Sequence, residues 1–233
     1  YSELIILLKS IDYFCNMSTS RTVAFHTLGC KLNFSETSSI NSSFRKAGYQ
    51  EVNFEDPADI YVINTCSVTD QADRKCRKVI RAAKRNNPDS KVIVIGCYAQ
   101  LKPEEISNIS GVNLVLGAAE KFNILEHIQE LDLQNFHSRV LSSPINEVKD
   151  FEPSYSKEGR TRAFLKVQDG CDYKCSFCTI PKARGRSRSG SIAQILDMAK
   201  DIIEQGAKEI VLTGVNIGDF GNGTEVIEGF KPK

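Results

Sequence analysis

The chain has 233 residues, of which 41% are hydrophobic and 25% are charged, and its formal net charge is +1. This apolar content is too high, and the net charge too small, for an intrinsically disordered chain. The longest apolar run near the start, Leu4 to Leu8, is far shorter than the ~20 residues that a transmembrane helix needs, and it lacks the basic segment and cleavage site of a signal peptide. These features predict a cytoplasmic globular protein with no membrane segment, in which nucleic-acid binding would depend on local basic patches.

From Thr22 onward, strand-like runs alternate with helical patterns, which predicts βαβ units and a parallel sheet. The first methionine is Met17, and we interpret residues 1–16 as a non-native leader, the alternative being an N-terminal helix. The predicted strands are Thr22–Thr27, Asp59–Thr65, Lys91–Gly96 and Val112–Leu116. The predicted helices are Ser35–Ala47, Asp70–Asn86, Lys102–Ile109 and Glu120–Leu131.

The sequence predicts two domains joined by a linker. Residues 17–133 form the first, an α/β domain with an open parallel sheet, and the polar, weakly periodic residues 134–160 form the linker. Residues 161–233 begin a second domain, again in the order β-α-β. Its predicted elements are strand Ala163–Gln168, helix Ser191–Gln205 and strand Glu209–Thr213.

Three cysteines of the first domain each lie just past a predicted strand: Cys30, Cys66 and Cys97. The carboxyl ends of parallel strands share one edge of a sheet, so this placement predicts that the three thiols lie close together. Gly29 and Gly96 directly precede two of them and suit tight turns beside a bulky ligand. An iron–sulfur site, a zinc site and unliganded buried cysteines all remain possible on spacing alone.

The helix Asp70–Asn86 carries a fourth cysteine, Cys76, within an apolar stripe of helical spacing. We therefore predict that Cys76 is a core residue and not a metal ligand. The opposite face carries seven basic residues, which fit either a solvated surface or a phosphate-binding face. These are Arg74, Lys75, Arg77, Lys78, Arg81, Lys84 and Arg85.

A second cysteine group, Cys171, Cys175 and Cys178, falls within eight residues directly after a predicted strand. Three thiolates can hold three irons of a 4Fe–4S cluster and leave the fourth iron open for a substrate. A zinc site with a distant fourth ligand and a ferredoxin-type cluster are the competing interpretations, although the ferredoxin type calls for another cysteine followed by proline. The spacing C-x3-C-x2-C, with an aromatic residue before the last cysteine, is typical of radical S-adenosylmethionine (SAM) enzymes.

From Thr22 to about Gly221 the chain resembles the N-terminal part of a radical SAM methylthiotransferase, of the tRNA type that acts on threonylcarbamoyladenosine. The resemblance depends on five segments: GCKLNFSET (29–37), NTCSVTDQADRKCRK (64–78), IGCYAQLKPEE (95–105), LKVQDGCDYKCSFCTIPKARGRSRS (165–189) and EIVLTGVNIGDFG (209–221). It implies a second domain that is the start of a partial TIM-type (β/α) barrel, truncated at this length.

The resemblance also implies a role for individual residues. Two 4Fe–4S clusters are expected, an auxiliary cluster on Cys30, Cys66 and Cys97 and a radical cluster on Cys171, Cys175 and Cys178. SAM would bind the open iron of the radical cluster, near Phe177, Gly214 and Asn216. A basic run would meet substrate phosphates or the SAM carboxylate, through Arg184, Arg186 and Arg188.

The implied activity is addition of a methylthio group to carbon 2 of N6-threonylcarbamoyladenosine, next to the anticodon in the tRNA stem-loop. SAM would supply both the methyl group and a radical, with electrons from a donor such as flavodoxin or ferredoxin. One alternative is a sister methylthiotransferase acting on isopentenyladenosine in tRNA or on a ribosomal-protein aspartate. Another is a non-enzymatic iron–sulfur electron carrier, which would neither bind nor cleave SAM. The 233-residue chain by itself is expected to be inactive.

Overall fold

The computed structural model describes residues 21–66, 70–133, 138–156 and 161–221. The predicted leader, residues 1–16, lies outside the described residues, as do residues 134–137 and 157–160 of the predicted linker.

Six parallel strands form the main sheet, in the order β2-β1-β3-β4-β5-β6. They are β1 (Thr22–Thr27), β2 (Gln50–Glu51), β3 (Ile60–Thr65), β4 (Lys91–Gly96), β5 (Val112–Leu116) and β6 (Arg139–Leu141). Every residue of β3 is buried, as expected for a central parallel strand that is covered on both faces. The predicted α/β class with an open parallel sheet is confirmed.

Helices cover both faces of this sheet and enclose two separate apolar clusters. They are α1 (Lys31–Lys46), α2 (Asp70–Asn86), α3 (Cys97–Leu101), α4 (Pro103–Ser107) and α5 (Ile124–Leu133). One cluster contains Cys76 and Ile80 of α2, and the other contains Phe44 of α1 and Ile128 of α5. Cys76 is fully buried, which confirms that it is a core residue, and burial followed by the charge of Asp73 raises the pKa of its thiol to about 12.

Three of the helices that pack on the main sheet differ from the predicted boundaries. Helix α1 begins at Lys31, four residues before the predicted start, with Cys30 as an extended cap residue that gives no side-chain capping bond. The predicted helix Lys102–Ile109 is the shorter α4, which begins at Pro103 because Lys102 has an extended φ of −140° and proline suits the first helical position. The sequence did not predict α3, which directly precedes it. Helix α5 follows a short 3₁₀ turn at Lys121–Asn123.

Two segments inside the predicted linker form strands. Strand β6 extends the main sheet beyond β5, and β7 (Ser154–Tyr155) pairs antiparallel with β8 (Arg162–Lys166). Strands of three and two residues are too short to produce a recognisable alternation of polar and apolar residues. The predicted domain boundaries at residues 133 and 161 stay predictions.

The second unit places β8 between β7 and β11 (Glu209–Thr213), with β8 and β11 parallel. Its other elements are β9 (Gln168–Asp169), α6 (Ile180–Arg184), β10 (Arg188–Ser189) and α7 (Ile192–Glu204). Strands β9 and β10 form a separate antiparallel pair, so the predicted strand Ala163–Gln168 is interrupted at Val167. Helix α7 begins with a capping box between Ser191 and Gln194.

Among the helices that the structure describes, none combines the length and the apolar character needed to cross a bilayer.

Candidate metal centres

The first cysteine group lies at one edge of the main sheet. Strands β1, β3 and β4 are neighbours in the sheet, and the chain reaches Cys30, Cys66 and Cys97 just after each of them. Cys30 is exposed, Cys66 is half-buried and Cys97 is buried. Three adjacent strand ends thus carry the three predicted ligands of the auxiliary cluster.

Two glycines allow the cysteine turns to approach one another closely. Gly29 has φ +110°, and a Cβ there would lie 2.8 Å from Cβ of Cys66 and 3.3 Å from its Sγ. Gly96 has φ +99°, and a Cβ there would lie 2.4 Å from the carbonyl oxygen of Thr65. Because any larger residue would collide with the neighbouring turn in this left-handed backbone region, both positions require glycine.

The donor set is three thiols, a ligand type that zinc ions and iron–sulfur clusters both take. Within the described ranges, no three His, Cys, Asp or Glu side chains converge closely enough to ligate one ion. A cubane takes one thiolate on each of several irons, so its cysteines need not converge on a point. Burial raises the pKa of the Cys97 thiol, while the positive charge of Arg184 opposes this.

Asn33, in the first turn of α1, connects the turns that carry Cys30 and Cys66. Its Nδ2 donates to the carbonyl oxygens of Leu28 (2.8 Å) and Thr65 (3.1 Å). Its Oδ1 lies 3.9 Å from Sγ of Cys30, which can donate to it. Asn33 is completely buried, so these bonds are shielded from competition with water.

The second cysteine group, Cys171, Cys175 and Cys178, lies on the loop between β9 and α6. The backbone N–H of Cys171 donates to the carbonyl of Gly185 (3.0 Å), and that of Cys178 donates to the carbonyl of Cys175 (3.1 Å). Cys175 is exposed and the other two are half-buried. The loop is therefore held at its base while its thiols stay accessible.

Gln168 joins this loop to the end of the neighbouring parallel strand. Its Nε2 donates to the carbonyl of Gly170 (2.8 Å) and to Oγ of Ser187 (3.0 Å), and its Oε1 accepts from the backbone N–H of Asn216 (2.8 Å). A Cβ at Gly214 would lie 2.9 Å from the same Oε1. Gly214 and Asn216 thus lie beside the base of the cysteine loop, and Phe177, at its tip, is 90% exposed.

A buried ionic cluster lies between the two cysteine groups. It contains two carboxylates and four cations: Glu36, Asp169, Lys121, Lys166, Arg184 and Arg188. Glu36 of α1 pairs with Lys121 (2.8 Å), Lys166 (3.1 Å) and Arg184 (3.1 Å). Burial alone would raise the pKa of Glu36, but Arg184, Lys121 and Lys166 hold it below its usual range.

The three arginines predicted as substrate contacts are in different environments. Arg184 and Arg188 are buried, and both pair with Asp169, so neither guanidinium is available at the surface for a phosphate. Arg186 is exposed, and its guanidinium lies 3.6 Å from Asp172. Of the three, Arg186 alone has the accessibility that the predicted role requires, and that role stays a prediction.

Sequence reasoning did not single out Asn33, Gln168 or Asp169, although all three lie inside the motifs that carry the resemblance. Each acts through hydrogen bonds to backbone near a cysteine. The sequence could have indicated them, because a polar residue next to a cysteine-containing turn is a candidate for hydrogen bonding to the backbone of that turn.

Two family models match the chain. Residues 22–117 match the uncharacterized protein family UPF0004, and residues 165–232 match the Radical SAM superfamily. Over 204 residues the chain is 46% identical to threonylcarbamoyladenosine tRNA methylthiotransferase MtaB of Bacillus subtilis, covering 86% of this chain and 45% of that protein. Over 202 residues it is 43% identical to the protein of the same name in Aquifex aeolicus, covering 85% and 49%. It is 32% identical over 208 residues to ribosomal protein uS12 methylthiotransferase RimO of Synechococcus, covering 88% and 44%.

The chain belongs to the radical SAM methylthiotransferase family. The UPF0004 match contains Cys30, Cys66 and Cys97, and the Radical SAM match contains Cys171, Cys175 and Cys178. The two cysteine groups of this methylthiotransferase family member therefore fall in two different domains. The chain spans about half the length of the curated relatives it matches.

Proposed function

We propose that the protein is a tRNA methylthiotransferase that adds a methylthio group to carbon 2 of N6-threonylcarbamoyladenosine beside the anticodon. One observation carries this proposal: two cysteine triplets, in two domains, lie at strand ends and are connected through one buried polar cluster. The choice of threonylcarbamoyladenosine is supported by the identity of 46% to a relative named for that substrate, against 32% to one named for a ribosomal protein.

Each triplet would hold one 4Fe–4S cluster, with Cys30, Cys66 and Cys97 for the first and Cys171, Cys175 and Cys178 for the second. When bound, these clusters would supply sulfur-carrying and electron-transfer chemistry that protein side chains cannot provide. The chain's own contribution is to position the cysteines that would hold the clusters. Gly29 and Gly96 keep the first three turns close, and Gln168 with Gly185 fixes the base of the second loop.

The candidate SAM position is the rim formed by the cysteine loop and the end of β11. Gln168 aligns the backbone at Asn216 with the loop, and Gly214 leaves room beside it because a side chain there would contact Gln168. Phe177 is exposed beside Cys178, where its backbone and ring are free to contact a ligand. This grouping supports a cofactor that spans the rim from the cysteines to Asn216.

The basic face of α2 is the candidate surface for tRNA phosphates. With α4 and the following turn it borders a cavity of about 660 Å³, lined by Arg77, Arg81, Lys84, Arg85, Glu105, Asn108, Ile109 and Ser110. Arg77 pairs with Glu105, whereas Arg81 and Arg85 are exposed. Helix α2 has seven basic and two acidic residues in a chain whose total charge is only +1, so positive potential is concentrated there.

A reduced flavodoxin or ferredoxin is the proposed electron donor, and the cytoplasm is the proposed compartment, where tRNA is found. A sister activity on isopentenyladenosine or on a ribosomal-protein aspartate is the alternative within the family. A non-enzymatic electron carrier is the alternative outside it.

The test uses the anaerobically reconstituted protein extended to the length of its relatives and offers it three substrates: tRNA bearing threonylcarbamoyladenosine, tRNA bearing isopentenyladenosine, and the ribosomal protein. SAM, sulfide and a reductant are supplied, and mass spectrometry looks for the added methylthio group. Product on the first substrate supports the proposal, and product only on another assigns the sister activity. Absence of both product and reductive SAM cleavage would favour the electron carrier.

A further inference from the structure

We propose that Arg184 and Asn33 form a positioning link that fixes the two cysteine sites relative to each other and places positive charge beside the first. The inference deepens the proposed function, on which its redox part depends. Neither residue is a proposed cluster ligand, and both act through groups that they hold.

The link begins at the first cysteine site. Asn33 holds the carbonyl oxygens of Leu28 and Thr65 with its Nδ2, and these residues flank Gly29 and Cys66. The backbone carbonyl of Asn33 accepts a further bond from Nδ2 of Asn64 (3.1 Å). Movement of Asn33 would therefore displace the turns of two proposed ligands together.

Arg184 continues the link toward the second site. Its Nη2 donates to Oδ1 of Asn33 (2.6 Å), and its Nη1 donates to Oδ1 of Asp169 (3.0 Å). The same Oδ1 of Asp169 accepts the backbone N–H of Gly170 (2.8 Å), directly before Cys171. One guanidinium group thus connects the turns of Cys30 and Cys66 to the base of the second cysteine loop.

The identity of the side chain matters because Arg184 uses different nitrogens toward different partners. Nη2 serves Asn33, while Nη1 serves Asp169 and also Glu36 (3.1 Å). A planar guanidinium directs several N–H groups outward at fixed angles, whereas a lysine ammonium is a single point charge. Arg184→Lys would keep the charge and lose the simultaneous geometry.

The buried ionic cluster contains more positive than negative side chains. Four buried cations, Lys121, Lys166, Arg184 and Arg188, face two buried carboxylates, Glu36 and Asp169. Both lysines also lie over aromatic rings, Lys121 over Phe122 and Lys166 over Phe122 and Phe151. A surplus of two positive charges remains next to Cys97 and is offset once thiolates at the first site carry a cluster. Positive charge near a cluster favours its reduced form.

The first measurement is hydrogen exchange on the intact protein without clusters. The amides to follow are those of Leu28, Gly170 and Cys171, which donate to Asn64, Asp169 and Gly185 respectively. Arg184→Gln and Arg184→Lys should both speed their exchange roughly tenfold or more, because bonds to a charged donor are lost. Arg162→Gln, which breaks an exposed pair with Glu209, is the matched control and should leave these amides unchanged.

The second measurement is the reduction potential of the cluster proposed on Cys30, Cys66 and Cys97, followed by EPR. Cys171, Cys175 and Cys178 are replaced by Ala so that the other proposed cluster gives no signal. Arg184→Gln should lower this potential, Arg184→Lys should restore most of it, and Arg162→Gln should not change it. A purely structural role would not produce this rescue by charge.

If Arg184→Gln does not fold, Asn33→Ala replaces it in the exchange measurement, because it keeps the two ion pairs of Arg184. It should speed hydrogen exchange at the same three amides. Unchanged exchange in folded Arg184 and Asn33 variants would overturn the link, and an unchanged potential in Arg184→Gln would overturn its electrostatic part. If the unmutated protein assembles no iron–sulfur cluster on Cys30, Cys66 and Cys97, the proposed function and the proposed electrostatic effect of Arg184 are both contradicted. The hydrogen-exchange measurement still tests the positioning link in that case.

Discussion

Oδ1 of Asn33 accepts a hydrogen bond of 2.6 Å from Nη2 of Arg184, across 151 residues of sequence. The bond joins the helix that follows Cys30 to the short helix that follows Cys178. Because both side chains are buried, the two domains are connected by polar groups with fixed geometry. Such a contact limits how far one cysteine site can move relative to the other.

The first prediction concerns cluster content. Anaerobic reconstitution of the intact protein should give about eight iron and eight sulfide per chain, the content of two four-iron cubanes. Replacing Cys30, Cys66 and Cys97 by Ala should halve the iron and leave reductive cleavage of SAM intact, since the second loop lies in another domain. Unaltered iron in the triple variant would show that the first site is misassigned.

The second prediction separates Cys76 from these ligands. Cys76→Ser buries a hydroxyl in an apolar cluster and should lower the free energy of unfolding by about 1–3 kcal/mol. Iron content should stay constant. Urea unfolding followed by iron analysis checks both, and Cys76→Ala, which adds no polar atom, is the control with the smaller loss. Loss of iron from a folded Cys76→Ser protein would make Cys76 a ligand.

The parts of the fold that could be predicted from sequence are those set by local patterns. Strands β1, β4 and β5 and helix α2 have the predicted boundaries because runs rich in apolar and β-branched residues, or a regular helical stripe, define them. The placement of Cys30, Cys66 and Cys97 at one edge of the sheet follows from the parallel order of β1, β3 and β4. The environment of Arg184 could not be predicted, because a basic run in sequence does not reveal which side chains a distant carboxylate such as Glu36 will bury.

The third prediction concerns the stability of the buried ionic cluster at acid pH. The pKa of Glu36 is held below its ordinary value of 4.5 by Arg184, Lys121 and Lys166, against the opposing effect of burial. A carboxylate of this kind stabilises the folded state above its unfolded-state pKa, and this contribution is lost as pH falls below about 4.5. Arg184, Lys166 and Arg188 hold the pKa of Asp169 low as well, against burial, so a variant of Glu36 is needed to separate the two carboxylates.

Chemical unfolding of the cluster-free protein from pH 7 down to about pH 2 tests this directly, because the loss runs from the unfolded-state pKa down through the lower folded-state pKa. Glu36→Gln should be less stable at pH 7 by about 3–5 kcal/mol, because it leaves buried cations unpaired, and its stability should depend less on pH. Glu209→Gln, whose exposed pair with Arg162 contributes roughly 0–1 kcal/mol, is the control. An acid profile of Glu36→Gln that parallels the parent would contradict the prediction.

The fourth prediction concerns tRNA binding by the basic face of α2. Arg81→Ala with Arg85→Ala should weaken binding and reduce the salt dependence, since each lost phosphate contact lowers the slope of log affinity against log salt by about 1. Fluorescence anisotropy of labelled tRNA across a salt series measures the slope. Lys200→Ala with Lys208→Ala removes two exposed cations from the second unit and should change little. An equal loss in both double variants would show that only total charge matters.

The last prediction is that the 233-residue chain alone does not modify tRNA, although it contains all six proposed ligand cysteines. The curated relatives are about twice as long as the matched region. In the second unit, α7 and β11 leave large apolar side chains in solvent, with Leu196 55%, Ile203 60% and Leu212 52% exposed. Leu196 and Ile203 are seven residues apart and share one face of α7, and an apolar helix face normally packs against other structure. A site at the end of a (β/α) barrel is built from the loops of several strands.

The assay compares this chain with the longer protein in which the second unit is followed by the remaining length of its relatives. Both receive tRNA bearing threonylcarbamoyladenosine together with SAM, sulfide and a reductant, and nucleoside mass spectrometry detects the methylthio product. Iron analysis of the short chain serves as the control, because a chain that has assembled clusters and still gives no product lacks the substrate site and not the metal centres. Product from the short chain would show that β8, β11 and the loops after them suffice for catalysis.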